Sequence, residues 1–217
     1  MLMWASVALL VTAVGLSVRW ARRRVDSIGR PRAFPVISVS LCLVSAVAAA
    51  VPVARHAHAE HRLTAVAARL TGTDVEVHCQ TAGEATIDLG PELGYVRFGP
   101  DGVPEHRTVI KWKPCHQLYG RLGSDAAGVS RDRLIAVHVL AHESMHMAGA
   151  TDEAVTECRA MQRNADMARR LGADPTVARA LAARYWREIY PNMPDAYRSG
   201  ECAPGGELDE HLPDPPW

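Results

Sequence analysis

The sequence predicts an α+β chain: two N-terminal transmembrane helices, then an extracytoplasmic domain with a small antiparallel sheet and a helical core. Three observations predict it. Two uncharged apolar runs flank a short arginine-rich loop. The next segment alternates apolar and polar residues between turn signals. Beyond Ser130 the sequence carries helix caps and helix-spaced apolar residues.

Residues 1–18 read MLMWASVALLVTAVGLSV and residues 33–54 read AFPVISVSLCLVSAVAAAVPVA, both without a charge. At about 1.5 Å per residue, runs of this length suit a hydrocarbon core of about 30 Å. Loop 19–32 holds Arg19, Arg22, Arg23, Arg24, Arg30 and Arg32. Such a cluster marks the cytoplasmic side. Both spans then lead outward, giving a multi-pass protein of the cell membrane with its N-terminus and C-terminal domain outside. A cleaved signal peptide carries its positive charge ahead of the apolar run; here the charge follows it, so two retained spans are expected. Pro52 near the end of the second span is tolerable there, and Cys42 within it is expected to be a free thiol.

The 24 Lys and Arg balance 24 Asp and Glu, which argues against nucleic acid as the main partner. With 48% hydrophobic and 22% charged residues, the chain is not intrinsically disordered. Residues 55–72 read as a juxtamembrane linker or helix, in which His56, His58 and His61 are solvated. Residues 73–217 form the outer domain. Its cysteines are Cys79, Cys115, Cys158 and Cys202. Four cysteines outside the cell suggest two disulfides, with three possible pairings. Cys79–Cys115 and Cys158–Cys202 would each close a local segment. Four zinc-binding thiols are a poor alternative, because no Cys-x-x-Cys spacing occurs.

Short strands are expected at Val75–Val77, Tyr95–Phe98 and Arg107–Trp112, with a turn at Gly99-Pro100-Asp101-Gly102. The first outer helix is expected from Ser130 as N-cap to about Ala148, with Gly149 in the left-handed position beyond it. A second should start near Thr151 or Asp152 and stop at Gly172. A third should open at Asp174 with Pro175 in its first turn and end before Pro191. The Pro- and Gly-rich tail is expected to wrap the domain irregularly, pinned by Cys202.

Within the first of these helices lies His142-Glu143-Ser144-Met145-His146. Residues four apart on a helix are rotated by about 40° and rise by about 6 Å, so two imidazoles so spaced can converge on one ion. Glu143 projects beside them. Zinc lowers the pKa of water it binds toward about 7, so a neighbouring carboxylate can act as general base at neutral pH. His138 lies one turn earlier. Three histidines at successive i+4 positions drift round the helix, so His138 reads as a core or supporting residue rather than a further ligand.

This pattern resembles the zinc metallopeptidases of the H-E-x-x-H class, the zincins. In their thermolysin-like branch, the gluzincins, the third ligand is a glutamate in an N-E-A-x-x-D context. Here Asp152-Glu153-Ala154-Val155-Thr156-Glu157 matches, apart from a shorter linker after the motif. The resemblance implies Zn2+ held by His142, His146 and Glu153, with Glu143 catalytic and Glu157 orienting His142 or His146. Glu157 itself is an alternative ligand. His142-Glu143-x-x-His146-x-x-Gly149-x-x-Asp152 also resembles the metzincin pattern of snapalysin-like proteases, which would make Asp152 the ligand and Asn192-Met193-Pro194 the methionine turn. The stretch E-A-V-T-E-C-R-A-M-Q looks like that of membrane-anchored actinobacterial proteins. An oxyanion-stabilising side chain is expected, with Tyr185, Tyr190, Tyr197, His116 and His211 as candidates.

The expected function is that of a membrane-anchored zinc metallopeptidase, a hydrolase acting on peptide or protein substrates. Two rivals use the same ligands: a zinc-stabilised binding or scaffold domain that cleaves nothing, and an amidase of cell-wall peptides.

Overall fold

The computed structural model describes residues 2–217; Met1, first residue of the first expected span, lies outside the described residues. The chain forms two compact units, one ending at His58 and the other spanning Ala59–Trp217.

The first unit contains α1 (Leu2–Arg22) and most of α2 (Val36–Thr71). Both helices are long and apolar enough to cross a membrane. Their apolar side chains stay exposed: Val11 is 66% exposed, Ile37 85% and Val44 67%. Helices buried in a soluble core hide such residues; a hydrocarbon solvent allows their exposure. In the loop, Asp26 Oδ1 accepts from the amides of Ile28 and Arg30, and the Trp20 indole donates to Arg32 O at 2.9 Å. The helix does not end at residue 54. It runs through Pro52 and the histidine-rich stretch as far as Thr71. Leu63, Val66 and Ala67, at helical spacing, are buried in the core of the second unit, and that burial gives these turns a reason to stay helical.

The second unit opens with β1 (Glu76–Cys79), β2 (Gly94–Phe98) and β3 (Pro104–Ile110). The sheet order is β1-β3-β2, with β1 parallel and β2 antiparallel to β3. The sheet is therefore mixed, not antiparallel as expected. Cys79 and Gly94 lie on opposite sides of Ile110, so the segment between them crosses the end of β3. Seven-residue β3 then enters as the central strand. The turn after β2 is the expected one: Gly99 N donates to Val103 O at 2.8 Å. The third strand ends at Ile110, short of the expected Trp112. Trp112 instead begins α3 (Trp112–Gln117), where Cys115 and Pro114 are buried.

Three longer helices follow: α4 (Arg131–Met147), α5 (Glu153–Arg170) and α6 (Pro175–Glu188). Their starts match the capping signals. The Ser130 hydroxyl accepts from Arg133 N at 3.2 Å, and Asp152 Oδ1 accepts from Val155 N at 2.9 Å. From Ala136 to Met147, α4 is buried throughout, packed against β2, β3, α3, α5 and α6. A helix buried on all sides should be apolar, yet this one carries His138, His142, Glu143, Ser144 and His146.

Disulfides join Cys79 to Cys115 and Cys158 to Cys202, with Cα separations of 5.7 and 5.6 Å; Cys42 is unpaired. The first ties β1 to α3 and the second ties α5 to the tail. The tail is further held by Gln162, whose side chain donates to Leu208 O and accepts from Glu210 N, both at 2.8 Å. Cys158 and Cys202 are 44 residues apart. For a loop of that length the chain-entropy argument gives about 4 kcal/mol. A Cys158→Ala/Cys202→Ala double variant is expected to lose roughly 2–4 kcal/mol of stability in denaturant titration. A loss under about 0.5 kcal/mol would show that the tail is held by its hydrogen bonds alone.

Candidate metal centre

The turn between α4 and α5 builds the site. Gly149 has φ of 101°, a left-handed conformation costly for other residues. It closes a Schellman motif: Ala150 N donates to Met145 O at 3.1 Å and Gly149 N to His146 O at 2.8 Å. The carbonyl of Ala150 then accepts from His146 Nδ1 at 2.8 Å. Asp152 caps the next helix, so Glu153 is its first residue, pointing back toward α4. A linker shorter than that of thermolysin-like enzymes thus suffices.

With α4 and α5 antiparallel, Glu153, Glu157 and Asn164 on α5 meet His146, His142 and His138 on α4. His142 Nε2 and His146 Nε2 lie 3.1 Å apart. Glu153 Oε2 is 3.2 Å from the first and 3.4 Å from the second. These three atoms form a group able to hold a metal ion. Tetrahedral ligands at about 2.0–2.1 Å from zinc would lie about 3.3 Å from one another, so the triangle needs little adjustment.

The protons make the stronger argument. His146 Nδ1 faces a carbonyl and His142 Nδ1 faces Glu157 Oε2 at 3.0 Å. Both partners can only accept, so both Nδ1 atoms donate. In the neutral rings both Nε2 atoms then present lone pairs to each other. A cation must lie between them: a proton or a metal ion.

The charges fit this account. Burial alone would lower the pKa of His142, but hydrogen bonds with Glu153 and Glu157 and the charge of Glu143 hold it at about 9. Hydrogen bonds with His142 and His146 hold Glu153 at about 2. Burial would raise Glu157, but the charge and hydrogen bonds of His138 and His142 keep it below the usual carboxylate range. Burial pushes Glu143 up to about 7, against the pull of His142 and His146. Glu143 Oε2 is buried without a hydrogen-bond partner.

A second group, His138, His142 and Glu157, also brings ligand atoms together. Here Glu157 Oε2 accepts from His138 Nε2 at 2.8 Å and from His142 Nδ1 at 3.0 Å. The carboxylate already satisfies both nitrogens, and no lone pairs oppose each other.

Asp152, the alternative acid, is spent on its own helix N-terminus. An N-cap carboxylate faces its own backbone amides, which takes it away from the triangle. Glu157 meets the distal nitrogen of His142, the contact of an orienting acid. The oxyanion candidates separate too. Tyr185 donates to Glu157 Oε1 at 3.0 Å, and Tyr190 donates to Ser199 O at 3.2 Å. His116 stacks between Trp112 and Tyr119, and His211 is an exposed partner of Asp209. Tyr197 alone lines the cleft, its ring 5.8 Å from that of His142. Burial and the nearby Glu153, Glu143 and Glu157 push its phenol up.

The cleft encloses about 240 Å³ between Leu93, Gly94, Val139, Glu143, Met193 and Tyr197. Met193 therefore does reach the site. Sequence reasoning passed over Gly94. A Cβ there would lie 3.1 Å from Glu143 Cγ and 3.1 Å from Val139 Cγ1, so glycine lets β2 run close against α4. Asn164 and the Ala150 carbonyl were also missed, because their roles arise only from helix packing.

Compared with protein-family models, curated proteins and solved structures, the chain matches none. The functional assignment therefore rests on the geometry of these side chains.

The raised values have a stability consequence. His142 rises from 6.5 to about 9 and Glu143 from 4.5 to about 7. Both folded values exceed the unfolded ones, so both contributions are present at low pH and lost as pH rises through the folded pKa. The melting temperature of the metal-free chain in detergent is expected to fall from about pH 4.5 to 7 through Glu143 and on to about pH 9 through His142. Saturating zinc should flatten that fall by replacing the proton between the rings. Unchanged melting with and without zinc at pH 9 would exclude a metal at this position.

Proposed function

We propose that this protein is a membrane-anchored zinc metallopeptidase whose catalytic domain lies outside the cell. The observation that carries the reading is the pair of opposed Nε2 lone pairs, closed by Glu153 and flanked by Glu143 with an unpartnered carboxylate oxygen. Two histidines and a glutamate are a donor set of catalytic zinc sites.

Zinc held there supplies Lewis acidity, which polarises a carbonyl and acidifies water. His142, His146 and Glu153 would hold it, each histidine fixed by its Nδ1–H bond. Glu143 receives the proton of the attacking water at Oε2 and returns it to the departing amine. Tyr197, lining the same cleft, is the phenol available to stabilise the developing oxyanion.

An extended peptide substrate is supported by the sheet. β2 is an edge strand, so one side of its backbone is free to pair. That strand follows the metal-binding turn of α4, with Gly94 against Glu143 and the Phe98 ring 5.8 Å from that of His146. A chain added there would lie along the strand that packs against Glu143 and His146.

Two apolar helices, the arginine-rich loop between them and two disulfides in the second unit support an anchor with the catalytic domain on the oxidising side. The test is Glu143→Gln in the full-length chain. It is expected to retain one zinc per chain by elemental analysis and to lose about 10²–10⁴-fold in kcat on an unstructured peptide library. Full activity with zinc bound would remove Glu143 from the chemistry. A wild-type protein that binds zinc and cleaves nothing would favour the scaffold role.

A further inference from the structure

Glu157 is 1% exposed, and three donors converge on it. Oε1 accepts the Tyr185 hydroxyl at 3.0 Å. Oε2 accepts both His142 Nδ1 at 3.0 Å and His138 Nε2 at 2.8 Å. One oxygen thus serves two imidazoles a helical turn apart, and only His142 reaches the metal position.

His138 is held as firmly as the carboxylate. It is 3% exposed. The Tyr185 ring stacks on it, with centroids 3.8 Å apart and planes inclined by 19°. Asn164 Nδ2 lies 3.0 Å from its Nδ1. When that amide donates, the neutral ring keeps its proton on Nε2, aimed at Glu157. Glu157 Oε2, which can only accept, sets the protons on His138 Nε2 and His142 Nδ1, while the Asn164 amide, with Oδ1 3.2 Å and Nδ2 3.0 Å from His138 Nδ1, pins the His138 ring.

We propose that His138 is a positioning residue for the metal ligand His142, acting through the single Glu157 oxygen that the two rings share. The inference rests on the reading that His142, His146 and Glu153 bind zinc. Without the His138 donor, Oε2 keeps only one of its two N–H partners. The carboxylate then keeps only the Tyr185 and His142 contacts, so its last torsion, and with it the plane of the His142 ring, is less firmly fixed. The loss falls on metal affinity first, because outer partners of ligating histidines hold the ring ready for the ion.

The test uses the full-length chain in detergent, with zinc affinity measured by chelator competition and cobalt as a spectroscopic probe. His138→Phe keeps a ring against Tyr185 and removes the donor. His138→Gln places an amide N–H within reach of Glu157, whereas His138→Asn is too short. H138F and H138N are expected to weaken zinc binding about 10–100-fold and to shift the visible cobalt bands. H138Q should recover most of the affinity and the wild-type spectrum. Near-UV circular dichroism of the metal-free variants checks folding, and if H138F does not fold, the Gln-against-Asn difference decides. Equal zinc affinity in H138Q and H138N would overturn the proposal and leave His138 a packing residue. A wild-type chain binding neither zinc nor cobalt would instead overturn the metal reading itself.

Discussion

Two imidazole nitrogens facing each other without a proton between them are repulsive, and the second unit is arranged to create that situation. The Ala150 carbonyl and the Glu157 carboxylate each take an Nδ1–H, which leaves the lone pairs of His142 and His146 opposed at 3.1 Å. Inside a protein such a repulsion is poorly screened. Against the pull of burial, hydrogen bonds with Glu153 and Glu157 and the charge of Glu143 favour a proton on His142 and raise its pKa to about 9. A metal ion among the three atoms would resolve it with Glu153 as a third ligand.

The secondary structure around this point was largely legible, because capping is local chemistry. Ser130, Gly149, Asp152 and the Asp174-Pro175 pair each act on backbone groups within a turn of themselves, so their meaning survives without the fold. The pairing of cysteines within local segments was legible for a similar reason. Sheet topology was not. The parallel pairing of β1 with β3 depends on a chain crossing that no short window records. Asp152 shows a different limit. An acid just before a helix reads equally as a cap or as a ligand, and only the position of Val155 N decides. Glu153 was recognisable through its resemblance to a known ligand context. That it can reach His142 and His146 depends on the Gly149 turn. Asn164 carried no signal at all, and Tyr185 was one oxyanion candidate among five; its contact with Glu157 arises only from the packing of α6 on α5.

The same helix packing supplies both the core and the site. α4 is enclosed by the sheet on one side and by α5 and α6 on the other, so its polar residues must find partners inside the protein. His138, His142 and Ser144 do: Ser144 bonds back to Leu140 O at 2.6 Å, and the two histidines share Glu157. Tyr185 and Asn164 complete the network from α6 and α5. A half-satisfied network of this kind would be worse than an apolar core, so its completeness argues that the histidines are worth their desolvation.

Glu143 is the exception, and it separates a catalytic from a purely structural reading. A metal that only braced the fold would need His142, His146 and Glu153, and nothing from residue 143. Instead the position holds a carboxylate that is 5% exposed, with one oxygen lacking any partner. An unsatisfied buried polar group costs about 1–3 kcal/mol, and more when charged. His138, His142 and Ser144 avoid that cost, although Arg133 Nε at the start of the same helix is likewise without a partner. The unpartnered oxygen sits beside the cleft, and Gly94 leaves room for it between helix and strand. On the proposed reading, a carboxylate oxygen in that position is placed to take the proton of the attacking water.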